Sequence, residues 1–346
     1  MADSKQTMDG GVKLQSAFYP KASSMPYSQA ESATGAVAGP RLPAEMLSQI
    51  FISGLETTGL RQQYSYLAAV SGVCREWRMA AIEDPFLWDN IYANVTDKRR
   101  AHQEITKLYL ERSKSCLLKV HLTGNPHAVA PPQWTADRHP GQLMSSAGRW
   151  RKLVVESEGD VVAAVLFYLS VGRTAQVLSA LETMEFRAPP PRHFHGRSLW
   201  ALDSTWHRTE HPRGRLNVAI RTGTAQLATP ALTRLGILQA FLDPNWPLFF
   251  SLANVTCLEL AFDMSWNELH GALSRAPLLR RLGFSGSLHN SELDEDDLTP
   301  IVMPHLCHAE VYFATYRGEL IFRRFWSVVS CPNLARLRRR GSGHFQ

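Results

Sequence analysis

The amino-acid sequence predicts a mixed α+β or α/β solenoid: a three-helix unit near the N-terminus, then an irregular series of strand-and-helix units. Two observations carry that expectation. Between Leu42 and Ile91, three apolar patches, each holding a proline or a tryptophan, lie inside fifty residues. From residue 117 onward, short segments of alternating apolar character recur, with starts 34, 30, 34, 17, 23, 23, 31 and 25 residues apart. Units of this size cannot bury an apolar face alone, and stacking gives them a shared core. An ordinary α/β domain with irregular strand spacing fits the same text, because no strict repeat line is present.

Composition sets the outer bounds. A chain of 346 residues has room for about two domains, and its 45% hydrophobic content allows a sizeable core. The longest apolar run, Val161–Val171, is about half of the roughly 20 residues a membrane helix needs. Residues 1–40 carry Lys5, Lys13 and Lys21 with no apolar stretch among them. That text predicts a disordered tail and not a secretory signal. The cysteines, Cys74, Cys116, Cys257, Cys307 and Cys331, are odd in number and form no CxxC pair. Reduced thiols in a cytoplasmic or nuclear protein are the expectation.

Within the first unit, Pro43 suits the first position of a helix, where its missing N–H costs nothing. Pro43, Met46, Leu47, Ile50 and Phe51 follow helical spacing and make one apolar face. A polar stretch around Glu56–Gln63 interrupts it. Val70, Val73, Cys74, Trp77 and Ala81 mark the face of a second helix, which Asp84-Pro85 stops. Phe86, Leu87, Trp88 and Ile91 predict a short third helical turn. A unit this small buries little surface by itself, and its aromatic density suits an interface.

These residues resemble the F-box, in particular the F-box-like proteins numerous in mushroom-forming fungi. The matching pieces are Leu42-Pro43-x-Glu45-Met46-Leu47, Ile50-Phe51, Val73-Cys74-Arg75-x-Trp77 and Pro85-x-Leu87-Trp88, in order. Met46 departs from the pattern, where Ile or Leu is more usual. The resemblance implies an F-box over 41–92 that docks on a Skp adaptor, itself carried by a cullin scaffold in an SCF ubiquitin-protein ligase. By position, Leu42, Pro43, Met46, Leu47, Ile50 and Phe51 would supply a first contact face. Val73, Cys74 and Trp77 would supply a second. Leu87 and Trp88 match the closing part, as core or as contact, and Trp88 is counted with the contacts.

Ile105, Leu108, Tyr109 and Arg112 predict a helix over Tyr92–Lys114, a linker spanning 93–116. The remainder, 117–346, is expected to form strands at 117–122, 151–157, 181–187, 215–221, 232–238, 255–262, 278–285, 309–314 and 334–339. Helices are expected at Asp160–Val171 and Trp266–Leu273. Proteins with an F-box commonly carry leucine-rich repeats as the part that reads the substrate, so the resemblance favours an irregular leucine-rich-repeat-like domain here. Glu156, Glu185, Arg187, Glu259, Arg281 and Glu310 are the expected outward residues of its strands. The insertion Ala188–Gly214 reads as a long loop.

No catalytic constellation emerges, and no enzyme, cofactor or metal site is expected. His207-Arg208-Thr209-Glu210-His211 fits a metallopeptidase pattern, but Pro212 and Gly214 deny it the helix that such zinc chemistry requires. His193 and His195 lie nearby as loop histidines. Phosphate-loop and nucleophile-elbow motifs are missing from the sequence. Glu292 and Asp294–Asp297 form an acidic loop without the spacing of a calcium site. The net charge of +6 permits nucleic-acid contact, but the basic end, Arg336 and Arg338–Arg340, lacks the aromatics that stack bases. Nucleic acid and membrane are not expected partners. The leading expectation is a substrate-recognition subunit holding an unidentified protein target. The alternative is an interaction scaffold outside any ligase that uses the same F-box.

Overall fold

The computed structural model describes residues 42–97, 99–124, 139–157, 159–171, 178–187, 227–238, 246–289, 299–313, 323 and 325–339. The chain divides into two units, Met1–Leu42 and Pro43–Gln346. The expected tail over 1–40, the 215–221 segment, the insertion at 188–214 with its histidines, and the acidic loop 292–297 lie outside the described residues.

The second unit opens with helices. Helix α1 spans Ala44–Thr57, α2 spans Gln63–Val73 and α3 spans Arg75–Glu83. Pro43 stands at the N-cap of α1 rather than inside it, and its carbonyl accepts the amides of Met46 and Leu47, both at 3.1 Å. The second expected helix is in fact two. Cys74 is extended at φ −155°, ψ 175°, and its Sγ accepts the Trp77 amide at 3.5 Å. A thiol thus does the N-capping that a hydroxyl more often does, and continuous helical spacing concealed the break. A 3-10 turn over Pro85–Trp88 follows, with Asp84 Oδ1 accepting the Phe86 amide.

The expected helix over Tyr92–Lys114 is also corrected. Asn90–Asn94 is strand β1, and helix α4 runs only over Arg100–Arg112. Ile91 and Ala93 are buried and alternate with half-buried Tyr92 and Asn94. That period of two is a strand signal, which the helical spacing farther on had masked. The sheet therefore begins inside the segment expected to be purely helical.

Eight further strands join β1: β2 (Leu118–Thr123), β3 (Trp150–Glu156), β4 (Thr183–Arg187), β5 (Arg234–Leu238), β6 (Cys257–Leu260), β8 (Arg281–Gly286), β11 (His308–Phe313) and β13 (Arg336–Arg339). Their order in the sheet is their order in the chain, and every pair is parallel. Two short parallel pairs lie outside it: β7 (Met264–Ser265) with β9 (Leu288–His289), and β10 (Ile301–Val302) with β12 (Val329–Ser330). Strand β4 pairs directly with β5. Helix α5 (His139–Ser145) precedes β3 in the chain and helix α6 (Gly159–Val171) follows it. The apolar run Val161–Leu166 is buried throughout, as befits a helix apolar on all sides. No helix among the described residues is long and apolar enough to cross a membrane.

One tight turn recurs ahead of six of these strands. The amides of Leu181, Leu232, Val255, Leu279, Leu306 and Leu334 donate to the carbonyls three residues earlier, at 3.0–3.3 Å. In four of them the second residue is proline, at 230, 277, 304 and 332, where its fixed φ suits the turn. Asn254 and Asn333 reach back from the third position to Pro230 and Pro304 carbonyls at 2.7 and 2.8 Å. These two units are thereby tied to the ones before them. A helical N-terminal region followed by a mixed α/β domain with a parallel sheet is thus the architecture. One continuous apolar core runs from Leu47 to Val329.

Candidate protein-interaction site

The apolar stripe of α1 is wider than its neighbours can cover. Leu47 and Phe51, four residues apart, are 3% and 0% exposed, and Phe51 meets Trp77 at 5.2 Å between ring centroids. The adjacent row, Met46 and Ile50, remains 53% and 46% exposed. Leu42, Pro43, Val73 and Cys74 are exposed too, while Trp77 is half-buried. Of the ten residues expected to contact an adaptor, six therefore offer open surface and one offers part of its ring. Leu47, Phe51 and Trp88 are corrected to core.

Trp88 shows the physical reason. Its Nε1 donates to the Ala81 carbonyl at 2.7 Å, its ring meets Tyr109 edge-on at 5.0 Å, and the Arg112 guanidinium lies 4.4 Å from its centroid. These contacts weld α3 to α4, and no face of the indole is left for a partner. Sequence spacing missed two open positions, Phe86 at 64% and Met79 at 45% exposure. Phe86 was assigned to the closing turn, where Leu87 and Trp88 turn inward and leave it outside.

A second surface is the outer face of the sheet. The register sets Arg234, Cys257, Arg281, His308 and Arg336 side by side across five strands. Two residues along each strand runs the row Glu185, Gly236, Glu259, Gly283, Glu310 and Arg338. All six expected outward residues occupy this face. The glycines matter here, because a Cβ on Gly236 or Gly283 would stand 3.5 or 3.4 Å from the Cγ of Glu185 or Glu259. Each glutamate lies over the neighbouring strand in the space its glycine leaves.

Charge is compensated at the N-terminal end of this face. Glu185 meets Arg187 and lies 3.6 Å from Lys152 Nζ and 3.8 Å from Arg234 Nε. Burial pushes its carboxyl up, but the Arg187 hydrogen bond and the charges of Lys152, Arg187 and Arg234 outweigh that and hold it below its ordinary value. Arg234 also bonds Glu259 at 2.9 Å. His121 contacts Glu156 at 3.1 Å and packs edge-on against Tyr92. Its pKa is lowered because burial outweighs the pull of Glu156. At the other end, Arg281, His308, Arg336 and Arg338 line an open cavity of about 350 Å³.

No group of His, Cys, Asp and Glu able to hold a metal occurs among the described residues. The basic C-terminal residues Arg336 and Arg338 face the cavity from β13, and Arg340 lies outside the described residues. No curated protein matches the chain. The F-box-like family model matches residues 40–94. That span takes in α1, α2, α3, the Pro85–Trp88 turn and β1, with both the buried and the exposed rows of α1. The N-terminal helical region is thus an F-box-like domain.

Proposed function

We propose that the protein is a substrate-receptor subunit of an SCF-type ubiquitin-protein ligase. An F-box-like domain implies binding to a Skp-type adaptor. Leu42, Pro43, Met46, Ile50, Val73, Cys74 and the open part of Trp77 form the contact set, joined by Phe86. The carrying observation is exposure: Met46, Ile50, Val73 and Phe86 are 46–64% exposed, on a domain that buries Leu47, Phe51, Leu67, Leu87 and Trp88. Apolar side chains so placed serve as interface anchors.

The sheet domain is the target-holding part, an irregular leucine-rich-repeat-like solenoid. The chain-ordered parallel strands and the recurring turn support that reading. Ubiquitin transfer belongs to other subunits. The receptor contributes proximity, raising the effective concentration of its target beside the transfer enzyme. The same role places it in the cytoplasm or nucleus.

Co-purification with a Skp-type adaptor tests the role, comparing the parent chain with Met46→Glu/Ile50→Glu. These side chains are open, so the double variant should fold and lose the adaptor. Equal recovery from both chains rejects the contact set. Recovery of a cullin with the complex separates a ligase subunit from a scaffold.

A further inference from the structure

We propose that the outer face of β8, β11 and β13 binds an extended, carboxylate-bearing segment of a partner protein. The inference rests on the target-holding role of the sheet domain and supplies the chemistry of the target. Arg281, His308 and Arg336 stand in one row across three adjacent strands, and all are exposed. Arg338 follows two residues along β13. The four line one open cavity of about 350 Å³. Arg234 is bound to Glu259, whereas Arg281, Arg336 and Arg338 form no ion pair with another described residue.

Spacing selects the anion. Neighbouring strands lie about 4.8 Å apart, so Arg281 and Arg336 are set about 10 Å apart, and Arg336 and Arg338 about 7 Å. Alternate side chains of an extended peptide also repeat at about 7 Å. Cations spread over these distances fit several separate carboxylates better than one compact dianion. Glu259 and Glu310 lie in the same cavity. A continuous phosphate backbone would be driven across them, while a peptide sets its charges apart and clear of them. Electrostatic complementarity of this kind gives orientation and specificity.

Fluorescence anisotropy on the full chain tests this with a labelled Thr-Glu repeat peptide and its Thr-Gln counterpart. The Glu peptide should bind at least about tenfold more tightly, an advantage that shrinks at high salt. Arg281→Gln/Arg336→Gln should weaken it by about tenfold per cation removed, and Arg275→Gln, off this face, should leave it unchanged. Equal binding of the two peptides, or no effect of the double variant, overturns the inference. So does tighter binding of a singly phosphorylated peptide of equal net charge, or of single-stranded DNA. Binding that appears only after Glu292 and Asp294–Asp297 are neutralised makes this chain's own acidic run the occupant and also overturns it. Adaptor recovery from the same samples keeps the two claims apart. Peptide failure with the adaptor retained sinks this inference alone, and failure of the parent chain to recover adaptor sinks the proposed function.

Discussion

The helical surface and the outer sheet face share one core yet solve exposure in opposite ways. On the F-box-like domain, large apolar side chains stand open: Met46, Ile50, Val73 and Phe86. On the sheet, they are charged, and over β3–β6 the charges satisfy one another through Glu185, Arg234 and Glu259. An apolar group left in water gains from any partner that covers it. A compensated charge gains little, since a partner must replace interactions already made. Only towards β13 does the sheet face present cations without an ion-pair partner among the described residues. The two surfaces thus differ in chemistry, and the stretch between them is internally satisfied.

The largest effect that would break this contrast is at Trp88. Trp88→Ala should cost about 3–5 kcal/mol of stability in urea unfolding, as a buried aromatic does. A folded variant of normal stability that fails only in adaptor binding would return Trp88 to the interface. Next, Met46→Glu should lower adaptor affinity by about 30-fold, the size of an interface anchor, while changing stability by less than about 0.5 kcal/mol. Titration with purified adaptor and urea midpoints measure the two quantities separately.

Glu185→Gln sharpens the sheet side. Removing the charge that Lys152, Arg187 and Arg234 surround should cost about 1–2 kcal/mol at neutral pH. The folded pKa of Glu185 is depressed, so its stabilisation is complete above the unfolded value, near about 4.3. It is lost as pH falls through the folded value. Urea midpoints of parent and variant should differ at neutral pH and converge in acid. The smallest effect concerns Lys114, which follows α4 with φ at +47°. Lys114→Gly relieves that left-handed residue and should raise stability by about 0.5–1 kcal/mol, with adaptor and peptide binding unchanged.

Local spacing made much of the architecture legible. Short alternating segments such as 151–157 and 255–262 marked β3 and β6, because strand alternation is written residue by residue. The ordered F-box residues located the docking domain for a similar reason, each being a local landmark. The boundary between domain and sheet was not legible: Ile91 and Ala93 became strand because β2 offered them a partner. Cys74 ended a helix by a side-chain bond that spacing does not record.

By itself, then, the sequence determined the helical domain, the strand segments at β2–β6, β8, β11 and β13, and the outward alternation of Glu185, Glu259 and Arg281. Each follows from short-range periodicity. Tertiary structure alone decided which half of the α1 stripe is covered, turning Leu47 and Phe51 inward and leaving Met46 and Ile50 open. It also decided which cations find glutamates, because an ion pair such as Arg234–Glu259 depends on the register of strands 25 residues apart. Burial and charge compensation are properties of neighbours, and neighbours distant in the chain are set only when the strands align.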